Sequence, residues 1–138
     1  MIKPVLVIPC SGIGKVFGSV SREAALKAVE ELGPTRTETM CLGLLVTGDE
    51  DARLRLIGRP AVTIDGCPQH CARKNVELAG GQVASSILVV DVYRQHSDLK
   101  SQSVTFLDDK GLALADWVAQ AVMEAVDDVQ SGKEAGNA

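Results

Sequence analysis

The sequence predicts an α/β fold, a single three-layer domain around a mainly parallel sheet of four to five strands. Three observations lead there. Short apolar runs rich in β-branched residues recur along the 138-residue chain, beginning with Val5–Pro9. Between them lie segments of helix formers such as Arg22–Leu32. Glycine and proline punctuate nearly every junction. Strand and helix patterns in alternation are the mark of parallel βαβ units, whose strands are buried on both faces and read as continuous apolar runs.

Val5–Pro9 reads as the first strand, and Arg22–Leu32 as a helix with apolar positions at Ala25, Val29 and Leu32, stopped by Gly33-Pro34. A second strand is expected around Thr39–Leu42. Asp49-Glu50-Asp51 places negative charge at the start of a short helix, where the helix dipole favours it, and Gly58 and Pro60 end that helix. Ala61–Asp65 is the third strand. Pro68 suits the first position of the next helix with Cys67 just before it, and Gly80-Gly81 is its C-cap. Ser86–Val92 is the clearest strand pattern in the chain, and Val104–Leu107 reads as a short edge strand. Ala115, Val118, Val122, Ala125, Val126 and Val129 form one apolar face of a long final helix. The expected organisation is Rossmann-like, with one domain over residues 1–130 and a flexible, small and polar tail, Ser131–Ala138.

Composition narrows the function. Net charge is −4, and the aromatic residues are Phe17, Tyr93, Phe106 and Trp117. Neither a basic footprint nor a stacking platform is present, so nucleic acid is not the expected partner. No apolar run approaches the ~20 residues of a membrane span, and Val5–Ile8 is too short for a signal-peptide core. The expectation is a cytoplasmic protein that does not engage a membrane. A chain of this length buries a core without disulfides, so in a reducing compartment its four cysteines point to metal binding or catalysis.

Cys10 follows the first strand, Cys41 lies near the end of the second, Cys67 follows the third, and Cys71 falls in the first turn of the next helix. In an open parallel sheet the carboxyl ends of the strands share one edge, and ligands bind there. Cys67 and Cys71, four apart, are expected on one helix face. Four thiolates at one edge suit a tetrahedral zinc site or an iron–sulfur cluster. The opposing interpretation treats each free cysteine as a small core hydrophobe, a weaker account of four at strand ends.

Ser11-Gly12-Ile13-Gly14-Lys15 invites comparison with phosphate loops. Val16 follows the lysine where a P-loop needs Ser or Thr, and Phe17 stands where a dinucleotide fingerprint needs glycine. A Cys-x₅-Arg phosphatase loop would need arginine at position 16. The segment reads instead as a glycine turn that brings Cys10 close to a bound group, with Lys15 offsetting the charge of thiolates. His70 is a candidate ligand or proton carrier, although a histidine in an exposed first turn is more often solvated. Asp65 either orients a ligand or bonds its own Asp-Gly turn. Asp91 is expected near the end of strand four, at the same edge. His96 is read as surface, and Glu124, Asp127 and Asp128 as a solvated helix face.

These residues resemble the DGC-domain family, named for an Asp-Gly-Cys motif that here is Asp65-Gly66-Cys67. The resemblance spans about residues 4 to 130. It rests on Pro9-Cys10-Ser11-Gly12-Ile13-Gly14-Lys15, on Cys41, on Asp65-Gly66-Cys67-Pro68 with Cys71, and on Lys74-Asn75-Val76-Glu77. It implies zinc held by Cys10, Cys41, Cys67 and Cys71, in a structural or metal-handling role, and implies no established reaction. The alternative is a thiol redox, sulfur-transfer or iron–sulfur protein using the same cysteines. The expected partner is a metal ion. The protein partner is unassigned and homo-oligomerisation is left open.

Overall fold

The computed structural model describes residues 3–12 and 14–132 of the chain. Four strands, β1 (Val5–Pro9), β2 (Thr37–Thr39), β3 (Pro60–Asp65) and β4 (Gln82–Leu88), form an all-parallel sheet in the order β2-β1-β3-β4. β1 is buried along its whole length, as its apolar run requires. Its register pairs Val7 with Thr39 on one side and with Val62 on the other.

The chain runs outward from β1 to β2, then crosses back past β1 to β3 and on to β4. Right-handed crossovers on these opposite courses put helices on both faces. One face carries α1 (Val16–Lys27), its π-helical continuation Ala28–Leu32, α5 (Val89–Gln95) and α6 (Asp109–Gln130). There Val5, Val7, Val62 and Ile64 pack with Ala24, Val118 and Val122. The other face carries α2 (Leu42–Val46), α3 (Glu50–Leu56) and α4 (Cys71–Leu78). There Leu6, Ile8 and Ala61 pack with Leu56 and Val76. The three-layer α/β architecture is as expected, with four strands.

Local chemistry fixes the helix ends. Asp49 caps α3 by accepting from the Ala52 N–H at 2.9 Å. Asp108 caps α6 through the Gly111 N–H at 3.0 Å. Gly80, at φ 89°, closes α4 while the Gly81 N–H donates back to the Val76 carbonyl at 2.9 Å. The face expected on α6 is buried from Ala115 to Val126, with Val129 packed at its rim.

Several boundaries differ from the sequence reading. α1 begins at Val16, not Arg22, because Gly18, Ser19 and Ser21 pack as its small buried face. β2 lies at Thr37–Thr39, so Met40 and Cys41 are already past the sheet. β4 covers Gln82–Leu88, not Ser86–Val92. Its last partner is Asp65, the end of β3, opposite Leu88; with no strand beside it, the chain turns helical at Val89. Asp91 therefore lies just past the end of β4, in the first turn of α5, and does not line the cavity described below. It sits on α5, exposed and paired with Arg94 at 3.1 Å. Residues 104–107 form no strand. The segment 97–108 is held by side chain–backbone bonds: Ser101 Oγ accepts from the Ser103 and Asp108 N–H groups, and Asp108 accepts from Gln102 N–H at 2.8 Å. The Gln102 and Gly111 N–H groups hold the Asp108 carboxyl below its usual range. Most of the expected tail, residues 133–138, lies outside the described residues. Among the described residues no helix is long and apolar enough to cross a membrane.

Candidate thiol site at the switch point of the sheet

The strand order reverses direction between β1 and β3, and this is where a doubly wound sheet opens a crevice beyond its carboxyl ends. The β1–α1 turn and the β3–α4 turn border it. A cavity of about 520 Å³ lies there, within the range of small-molecule sites. Cys10, Cys67 and Cys71 all line it, although Cys10 is far from the other two in sequence.

Cys10 continues the line of β1, its N–H donating to the Ile64 carbonyl at 2.8 Å. Its Sγ accepts from the Gly66 N–H and lies 3.3 Å from Ser21 Oγ. The Ser21 hydroxyl proton is already given to the Gly18 carbonyl at 2.6 Å, so the Cys10 thiol is the donor in its contact with Ser21. This sulfur is thus fixed by two elements, α1 and the β3–α4 turn.

Glycines allow that approach. A Cβ on Gly66 would stand 2.9 Å from the Gly18 nitrogen and from the Phe17 carbonyl carbon, and one on Gly18 would collide with the Gly12 backbone. Among the described residues, Ser11 at φ 50° and His70 at φ 57° are the non-glycine positions in the left-handed region. Each adjoins a cavity cysteine, and such conformations cost ~1–3 kcal/mol unless the surroundings hold them.

Asp65 is buried at the end of β3. Its two oxygens accept from the Ala72 N–H at 2.7 Å and the Arg73 N–H at 3.2 Å. It therefore caps α4 from the sheet and does not bond its own Asp-Gly turn. This is why α4 starts at Cys71 and not at Pro68. Cys67 and Cys71 consequently do not share a helix face. Cys67 sits in a turn closed by the His70 N–H on its carbonyl at 3.3 Å. Both thiols are exposed and face the same cavity from different backbone settings.

His70 is less solvated than expected. Its Nδ1 is buried without a hydrogen-bond partner and stands 3.9 Å from Asp65 Oδ2. Lys15 lines the cavity, as do Lys100, which the sequence did not bring out, and Val104, expected in an edge strand and not at the site. Lys100 lies in the irregular segment 97–108, which carries no periodic signal; the Ser19 hydroxyl ties that segment to α1 by donating to the Val104 carbonyl at 2.7 Å. Ser21 could have been found from the Gly18, Ser21, Ala25 spacing, a small face on a helix. Cys41 is exposed at the N-cap of α2, at the carboxyl end of the sheet but not in the cavity lining. His96 is half-buried, stacked on Trp117 with ring centres 4.2 Å apart. Among the described residues no three Cys, His, Asp or Glu side chains stand close enough together to hold one metal ion.

Fold and site together define a doubly wound parallel α/β domain with a thiol-lined cavity at its switch point. The family model for the DGC domain matches residues 6–110, and the chain belongs to that family. The match takes in β1 from Leu6 onward, both cavity turns and all four cysteines. No curated protein matches the chain.

Proposed function

We propose that this domain handles zinc, capturing the ion with the thiolates of Cys10, Cys67 and Cys71 in the switch-point cavity. The observation that carries this reading is the convergence of three cysteines, from two separate turns, on one cavity. Thiolates suit zinc, which tolerates variable geometry and takes cysteine readily. Bound zinc would supply Lewis acidity and no redox chemistry.

Handling fits better than a structural role. Both hydrophobic clusters close without help from the cavity, so folding does not call on a metal. The ligands are not gathered in advance, so Cys67 and Cys71 would move toward Cys10 on capture. Their exposure and the strained His70 between them make the β3–α4 turn the part free to do so. Cys41 takes a secondary place because it lies outside the lining.

The test is metal content after purification without oxygen. About one zinc per chain is expected, lost on Cys67→Ser and on Cys10→Ser. It should be largely kept on Cys41→Ser. Unchanged zinc in the Cys67→Ser protein sinks the proposal, as does a brown protein carrying iron and sulfide. A second reading, thiol redox or sulfur transfer, draws on the same exposed, ungathered thiols. Metal-free protein with four titratable thiols would favour it.

A further inference from the structure

The cavity is far larger than an ion requires. Its ~520 Å³ compares with about 30 Å³ for one water molecule's share of the liquid. Its chemistry is also specific. The carboxylate in the lining, Asp65, has both oxygens occupied by α4 amides. The remaining charged groups are two lysines, Lys15 and Lys100, and among the described residues neither forms an ion pair. In a chain of net charge −4, a concave site whose free charges are both positive selects for anions. The first turn of α1 borders the same space. It contains no acidic residue, and its N-cap Lys15 offers no side-chain acceptor to the free amides. Val16, Phe17 and Val104 supply an apolar wall. The three thiols line the same space.

From this combination we infer that the cavity is a binding site for a small organic anion that carries sulfur, a low-molecular-weight thiol or its disulfide. The anionic end lies with Lys15 and Lys100, and the sulfur with the cavity cysteines. The inference stands on the lysines and the cavity volume and does not depend on zinc. With a disulfide the step is exchange. A cavity thiol loses its proton to solvent, its thiolate attacks one sulfur, the S–S bond breaks, and the other half leaves as a thiolate with the electron pair. The bound disulfide is the oxidant, and the protein sulfur ends in a mixed disulfide.

The experiment uses the reduced, metal-stripped full chain and two disulfide probes, dianionic dithiobis(nitrobenzoate) and neutral dithiodipyridine. The rate with the anionic probe should saturate with concentration. In Lys15→Gln/Lys100→Gln protein it should fall about tenfold, while the neutral probe reacts within twofold of the parent. Mass spectrometry after partial reaction should find the anionic probe first on Cys10, Cys67 or Cys71. The inference is overturned if the anionic rate is unchanged in the variant. It is overturned equally if both probes slow together, which would mean the lysines act on the thiols and not on the ligand. First modification at Cys41 also overturns it. Because both lysines are exposed, the variant is expected to fold, and its rate with the neutral probe checks that directly.

Discussion

The β1–α1 turn and the β3–α4 turn stand side by side at the same edge of the sheet, and each delivers cysteine to one cavity. Each also carries a non-glycine residue at positive φ, Ser11 in the first and His70 in the second. They differ in how the sulfur is held. Cys10 is half-buried and bonded by Gly66 and Ser21, whereas Cys67 and Cys71 are exposed. The first turn is an anchor and the second an adjustable arm. The contrast arises from packing: the Cys10 sulfur is held between the β3–α4 turn and the small face of α1 at Gly18 and Ser21, while the second turn is tied at its base by Asp65 and Gly66 and leaves Cys67 and Cys71 exposed.

The largest expected effect comes from forcing the turns apart. Gly66→Ala puts a methyl against the backbone of Phe17 and Gly18, and backbone cannot yield as a flexible side chain can. Destabilisation of about 1–3 kcal/mol is expected, read from denaturant unfolding, together with faster alkylation of Cys10. A variant as stable as the parent, with Cys10 unchanged, would show that the turns do not support each other.

A smaller effect is expected when the arm is cut loose at its base. Asp65→Ala removes the acceptor for two α4 amides. The cost should be about 1–2 kcal/mol, in the range of a lost helix cap, with Cys10 reactivity unaffected. Amide hydrogen exchange should quicken at Ala72 and Arg73 and not in α1. Quickening in both helices would merge the two turns into one unit.

The smallest concerns strain in the arm alone. His70→Gly relieves the left-handed backbone but loosens the unfolded chain, so the net change should lie within about 0.5 kcal/mol of zero. Zinc affinity is the sharper readout. If strain keeps the arm apart from Cys10, the glycine variant should bind zinc at least as well as the parent. A marked loss would instead make His70 a ligand through its unpartnered Nδ1.

Much of this was legible in the residues. The buried strands β1 and β3 announced themselves as apolar runs, and parallel topology then placed Cys10, Cys41 and Cys67 at one edge without knowledge of any contact. The β4–α5 junction was not legible, because Ile87–Val90 is an unbroken apolar run, mostly β-branched, and the end of β3 decides where the strand stops. Lys100 was hidden for a different reason. Its segment is shaped by individual bonds from Ser101 and Asp108, which leave no periodic trace. The separation of Cys41 from the other three was also out of reach. Spacing reports which edge a residue occupies, and the exclusion of Cys41 depends on α2 starting immediately after it.

The most direct test of the central claim is zinc protection of each cysteine against alkylation, followed by mass spectrometry. Zinc should slow modification of Cys10, Cys67 and Cys71 together and leave Cys41 nearly as reactive as before. No protection, or equal protection of all four, would contradict a three-thiol site at the switch point.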